Sequence, residues 1–156
     1  MAYEIERKYL LANSDWKKVA PPGLTIKQGY LNLHPERTVR VRLTGDKAWL
    51  TIKGKTIKTT RLEFEYEIPR DDAIELLDLC EKPLVEKIRY KITQGDLVWE
   101  IDEFEGENKG LVIAETELKS EDQTFDLPDW IGIEVSHDAK YYNSNLILQP
   151  FSKWNI

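Results

Sequence analysis

Apolar and charged residues alternate along this chain with a period of two, in segment after segment. Arg61-Leu62-Glu63-Phe64-Glu65-Tyr66-Glu67-Ile68 is the most regular: Leu, Phe, Tyr and Ile share one parity and three glutamates the other. Thr38–Leu43 sets valines against Arg40 and Arg42. Leu84–Thr93 sets Ile88, Tyr90 and Ile92 against Lys87, Arg89 and Lys91. Leu97–Asp102 places Glu100 and Asp102 opposite Leu97, Trp99 and Ile101. Tyr3–Tyr9 carries Glu4, Glu6 and Lys8 on one parity and Ile5 and Tyr9 on the other, and Leu111–Lys119 bears Glu115 and Glu117. Side chains of an extended chain point to opposite faces in turn, so each segment is predicted to be a strand with one apolar and one charged face. Thr25–Leu33, with Tyr30, and Ala48–Lys53 complete the set.

Short connections join neighbouring strands, so the sheet is expected to be antiparallel and meandering. Thr44-Gly45-Asp46-Lys47 and Gln94-Gly95-Asp96 read as turns. Asn13 or Ser14 is positioned to cap a short helix through Trp16 to Ala20, which Pro21-Pro22-Gly23 stops. Asp72 and Glu75 resemble a capping box opening a helix to about Cys80. Toward the C-terminus, one helical turn is expected at Trp130-Ile131, a strand at Ile133-Glu134-Val135 and a closing helix over Asp138–Leu148.

Composition narrows the function. A chain of 156 residues with 41% hydrophobic and 32% charged positions is expected to fold as a single domain over residues 1–156. The apolar runs are too short to span a membrane, and charges occupy the place of a signal peptide's apolar run. The single cysteine, Cys80, reads as a core residue and fits a reducing cytoplasm. His34 and His137 lack a partner at zinc-binding spacing. A net charge of −6 argues against nucleic acid as a partner, but not against a small phosphate ligand met by a local basic cluster.

The charged faces admit two readings. Facing water, they form cross-strand ion pairs worth at most about 1 kcal/mol each. Yet surface strands normally mix neutral polar residues with charges, whereas these faces are nearly pure Glu or pure Arg/Lys. Crowded like charges repel unless opposite charge sits among them. The alternative is an α+β fold: a closed antiparallel β-barrel of about eight strands, charges inward, with a few helices packed outside. Inside, arginine and lysine would grip phosphate oxygens, and paired carboxylates would hold Mg²⁺ or Mn²⁺. A polyanion with its metal satisfies both signs at once.

These residues also carry a resemblance. Glu4-x-Glu6-x-Lys8, then Arg40-x-Arg42, Lys53, Glu63-x-Glu65, Lys87-x-Arg89, Asp102 and Glu115-x-Glu117 resemble, in order, the signature of the CYTH superfamily, the triphosphate tunnel metalloenzymes. The tail from Glu134-Val135-Ser136 through Lys140-Tyr141 and Asn143 is similar to the family's closing segment. The resemblance implies a tunnel binding a small-molecule triphosphate with one or two Mg²⁺ or Mn²⁺ ions, and is nearest to the inorganic triphosphatase branch. It assigns Glu4, Glu6, Glu63, Glu65, Asp102, Glu115 and Glu117 to metal, with Glu115 and Glu117 the pair for the ion that would activate water. It assigns Arg40, Arg42, Lys53, Lys87 and Arg89 to phosphate, Lys8 beside them, and Lys140 and Lys55 as further candidates. Tyr30 is a candidate for a catalytic hydrogen bond or for packing. Glu67 and Glu100, at strand margins, are expected to be solvated.

Three other activities stay open: an adenylate cyclase of class IV type, a thiamine triphosphatase, and a binding module for polyphosphate or nucleotides. The state in solution is expected to be monomer or homodimer.

Overall fold

Nine strands and two helices follow one another along residues 2–154, which the structure, a computed structural model, describes. The strands are β1 (Tyr3–Leu11), β2 (Leu24–Asn32), β3 (Arg37–Thr44), β4 (Lys47–Gly54), β5 (Thr60–Ile68), β6 (Val85–Gln94), β7 (Leu97–Phe104), β8 (Val112–Glu117) and β9 (Ile131–Glu134). The helices are α1 (Arg70–Leu79) and the single turn α2 (Asn145–Leu148). The strands pair antiparallel in the order β5-β4-β3-β2-β6-β7-β8-β1, and β5 returns to β1 to close an eight-stranded barrel. Gly45 and Gly95, both at φ 58°, make the tight hairpins at β3–β4 and β6–β7, a conformation that glycine adopts without strain.

The first strand is shared. Its N-terminal half pairs with β5, through Tyr3↔Leu62, Glu4↔Arg61 and Ile5↔Thr60. Its C-terminal half, where β5 has diverged, takes β9 through Tyr9↔Glu134 and Leu11↔Ile131. The ninth strand thus satisfies backbone groups that the staggered closure would leave unpaired.

The usual polarity of a sheet is inverted: charged parities face the lumen, and apolar parities face out against covering elements. Helix α1 packs Ala73 and Leu77 over Val41, Ala48 and Cys80. The turn at Asp15–Lys18 and the segment around Phe125 and Trp130 cover Tyr9, Trp99 and Ile101. At one end of the barrel the inward rows change from charged to apolar. There Leu10, Tyr30, Val85, Phe104 and Ile113 meet Tyr141, Leu146 and Ile147 of the C-terminal segment, which plugs that end. Among the described residues, no helix is long and apolar enough to cross a membrane.

Four local expectations are corrected. The first helical segment is one 3-10 turn, where Asn13 Oδ1 accepts from the Asp15 N–H at 2.9 Å. Helix α1 starts at Arg70 behind Pro69 and has no side-chain cap; Asp71 and Asp72 favour its first turn by charge. Ile131 opens β9 instead of lying in a helical turn. Asp138–Leu148 divides into a turn at Ala139–Tyr141 and α2, with Tyr142 extended between them. That break directs the adjoining Asn143 into the lumen, where its side chain finds partners.

Candidate active site

The inward rows enclose a cavity of about 380 Å³, a volume suited to a small ligand. Nine cationic and seven carboxylate side chains line it, so it is neither a basic groove nor an acidic one. Strand order sorts the signs. Carboxylates from β1, β8 and β5 (Glu4, Glu6, Glu115, Glu117, Glu63, Glu65) line one side. Arg40 and Arg42 of β3, with Lys87 and Arg89 of β6, line the other. Lys8 and Lys53 stand among the acids.

Part of this charge is paired. Lys53 Nζ lies 2.8 Å from Glu4 and 3.4 Å from Glu63; Lys8 Nζ lies 3.2 Å from Glu115 and 4.0 Å from Glu6. Thr51 Oγ1 donates to Glu65 at 3.0 Å, with Arg40 at 3.7 Å from the same oxygen. Asn143 accepts from Lys87 Nζ at 2.9 Å and Gln28 Nε2 at 3.0 Å.

Like charge also crowds both walls, paired groups included. Burial raises the Glu6 carboxyl, Glu115 and Glu4 raise it further, and together they push it up to about 8. Burial and then Glu4 raise Glu63; burial, Glu4 and Glu100 raise Glu117. On the opposite wall, burial and then the Arg40 and Arg89 guanidinia push Arg42 down to about 9. Burial brings Lys87 down to about 7 despite Asp102, with Arg89 and Arg42 adding to the shift. Glu115 goes the other way: burial opposes ionisation, but Lys8, Arg89 and Lys87 outweigh it and hold the carboxyl below its ordinary range. The buried Nε of Arg40 has no hydrogen-bond partner. A guest carrying both signs, anionic oxygens for the arginine wall and a cation for the glutamate wall, relieves both repulsions.

The acidic wall fits a hard divalent cation by its chemistry: carboxylate oxygens only, on adjoining strands, raising one another's pKa. Among the described residues, no three carboxylates already converge into a cage, because lysines draw several of them apart.

Comparison with known proteins matches residues 2–145 to the CYTH domain family. The chain belongs to this family. Two curated CYTH relatives are named inorganic triphosphatase. One, from Acetivibrio thermocellus, is 48% identical over 155 residues, 99% of each chain. The other, from Nitrosomonas europaea, is 36% identical over 151 residues, covering 93% of this chain and 97% of its own. A solved structure described as an inorganic triphosphatase superposes with a TM-score of 0.64 at 32% identity, covering 92% of this chain and 97% of that one.

Most residues singled out from the sequence do meet in the CYTH lumen, including Tyr30, which lines it and also belongs to the apolar plug. Three expectations change. Asp102 does not line the cavity: it is fully buried, with Lys87 at 2.8 Å and the Arg89 fork at 2.7 and 2.9 Å on its oxygens. Lys140 lies outside, its ammonium 5.3 and 5.0 Å from the ring centroids of Tyr141 and Trp154. Glu100 is half-buried, lines the cavity and pairs with Arg89 at 3.2 Å, because β7 continues past Asp102 along the lumen. Lys55 is exposed and away from the lining, and Glu67 is exposed. Sequence reading missed Arg61, Lys58, Trp49 and Gln28. Arg61 had the inward parity of Glu63 and was legible; Lys58 sits in a loop without periodicity.

Proposed function

We propose that this protein hydrolyses the terminal phosphoryl of a linear triphosphate, with inorganic tripolyphosphate the preferred substrate, in a divalent-metal-dependent reaction in the cytoplasm. The observation that carries the reading is the sorting of like charge onto opposite walls of one lumen. The names of the two curated relatives support the choice of substrate.

The roles follow from the walls. Arg40, Arg42, Lys87 and Arg89 bind the polyphosphate chain, the arginines through planar forks suited to phosphate oxygens and the lysine as a point charge. A polyphosphate gives the orphaned Arg40 Nε an acceptor and offsets the like-charge crowding on Arg42. Asp102 orients Lys87 and Arg89. Glu4, Glu6, Glu63, Glu65, Glu115 and Glu117 would hold Mg²⁺ or Mn²⁺, which when bound supplies Lewis acidity toward phosphate oxygens and water. Lys8 and Lys53, between carboxylates and phosphates, neutralise charge on the group being transferred. Glu115, kept ionised by Lys8, would help hold the ion, while Glu117, raised by burial and by Glu4 and Glu100, orients the attacking water and takes its proton; such assistance contributes about 10²–10⁴ in rate. Positioning and charge neutralisation supply most of the remainder, as in phosphoryl transfer generally.

The test is a panel of tripolyphosphate, ATP and thiamine triphosphate, each with Mg²⁺, Mn²⁺ or chelator. Fastest phosphate release from tripolyphosphate, abolished by chelation, is the expected result. Formation of cyclic AMP and pyrophosphate from ATP as the dominant reaction overturns it.

A further inference from the structure

Part of the lumen lining comes from outside the strands. Residues 55–59 connect β4 to β5, and of these Thr56, Lys58 and Thr59 line the cavity. The tip of the connection is a two-residue hairpin: Ile57 and Thr60 exchange backbone hydrogen bonds at 2.9 and 3.0 Å around Lys58 and Thr59. Lys58 takes the first central position at φ 58°, where a turn of this shape favours glycine. Among the described residues it alone combines a side chain with a positive φ. That conformation crowds Cβ against the backbone and persists only where the surroundings impose it.

The surroundings impose it from two sides. The Thr59 carbonyl accepts from the Glu6 N–H at 3.0 Å, which ties the turn to β1. From the other side the Glu121 carboxylate accepts the Thr59 N–H at 3.1 Å and the hydroxyls of Thr59 and Thr60. Those hydroxyls hold the Glu121 carboxyl below its ordinary range, so it is ionised at neutral pH. Glu121 stands in a turn closed on itself, where the Gln123 N–H donates to the Ser120 carbonyl at 3.3 Å and the Lys119 N–H to Gln123 Oε1 at 2.7 Å. The base of the connection is fixed as well: Arg61 donates to the Gly54 carbonyl at 2.6 Å and to Thr38 Oγ1 at 3.3 Å.

We propose that Lys58 is a further phosphate-binding residue at the rim of the lumen, and that Glu121 is the positioning residue that holds its turn in place. The inference rests on the reading of the lumen as a polyphosphate site and extends that site beyond the barrel strands. Lys58 is exposed and also lines the cavity, so it stands at the rim. The other lysines of the lining, Lys8, Lys53, Lys87 and Lys91, each have a carboxylate within 4.0 Å, whereas Lys58 has none among the described residues. An anionic oxygen of a guest supplies the missing partner through a charge-assisted hydrogen bond. A lysine serving solubility alone needs no such turn, because any relaxed surface position carries it and glycine at position 58 makes the hairpin without strain.

Steady-state release of phosphate from tripolyphosphate, with melting temperature as the check on folding, tests both assignments. Lys58→Gly removes the side chain and suits the backbone, so it is expected to melt at or above wild type. Its KM is expected to rise about 3- to 10-fold with kcat within about twofold, a contact at a solvent-screened rim. Lys58→Arg, which keeps the charge, is expected to keep the rise in KM below about threefold. Glu121→Ala is expected to raise KM about threefold or more, and to add nothing when combined with Lys58→Gly, because it acts through Lys58. On a wild-type chain that hydrolyses tripolyphosphate, a KM for Lys58→Gly raised less than about threefold overturns the proposal alone. Additive effects in the double variant overturn the role of Glu121. A wild-type chain that releases no phosphate from tripolyphosphate overturns the reading of the lumen, and this proposal with it.

Discussion

The guanidinium of Arg89 grips both oxygens of Asp102 from the neighbouring strand, Nε to Oδ1 at 2.7 Å and Nη2 to Oδ2 at 2.9 Å, and Lys87 joins the second oxygen at 2.8 Å. One fully buried carboxylate thus aligns two cations that line the lumen. Asp102→Asn removes the charge while keeping the shape, leaving Lys87 and Arg89 buried against each other. We expect a loss of roughly 3–5 kcal/mol in the stability of the ligand-free protein, the usual cost of breaking a buried pair. Thermal denaturation with and without tripolyphosphate checks it: saturating polyanion is expected to recover part of the loss. A variant as stable as wild type means Asp102 does not bear the load assigned to it.

Arg40 and Glu115 lie on opposite walls, so their removal is expected to fail in different ways. Arg40→Ala deletes hydrogen bonds to phosphate worth about 1.5–3 kcal/mol and is expected to raise KM about 10- to 100-fold with a smaller change in kcat. Glu115→Ala is expected to lower kcat about 10²-fold or more and to shift the Mg²⁺ or Mn²⁺ concentration giving half-maximal rate. Steady-state kinetics across a metal series separates the two. Equal kcat losses in both variants, with metal dependence unchanged, remove the division of the lumen into two walls.

The barrel and most of the site were legible because period-two alternation fixes which residues share a face, and sign-sorted doublets fix which face needs a guest. Alternation does not report depth. Asp102 and Glu100 share a parity on β7, yet one is sealed beneath Lys87 and Arg89 while the other lines the cavity. Only cross-strand register, Arg89 opposite Asp102 and Lys91 opposite Glu100, separates them. The tail was legible in composition but not in path. An extended residue at Tyr142 breaks the helical pattern, delivers Asn143 to Lys87 and leaves Lys140 outside.

Lys140 tests that distinction directly. Its ammonium is held over Tyr141 and Trp154 on the outer surface. Lys140→Ala is expected to leave KM for tripolyphosphate within about twofold of wild type and to cost at most about 1 kcal/mol in stability from the lost cation–π contact. Lys53→Ala, inside the lumen, is expected to lower kcat/KM at least about tenfold under the same conditions. A KM effect at Lys140 as large as that at Lys53 means that the tail refolds over the lumen when substrate binds.

The tail itself is fastened by Glu134, which receives Arg7 Nε at 2.9 Å, Arg7 Nη2 at 2.6 Å and the Ser136 hydroxyl at 2.6 Å. Ser136 Oγ in turn accepts the Lys8 backbone N–H at 2.9 Å, linking the clasp to the signature strand. The Arg7 hydrogen bonds, partly opposed by burial, hold the Glu134 carboxyl below its ordinary 4.5. A carboxylate with a depressed folded pKa contributes stability that is fully present above the unfolded value and is lost as pH falls through the folded one. Because both partners are about one-third exposed, the contribution is about 1 kcal/mol or less. Glu134→Gln is therefore expected to melt slightly below wild type at pH 7, with the gap closing at pH values below 4.5 as wild-type Glu134 takes up its proton. Hydrogen exchange at the Lys8 amide is expected to quicken in the variant at pH 7. A melting difference that stays constant from neutral to acid pH shows that the ionised clasp is not what holds the tail against β1.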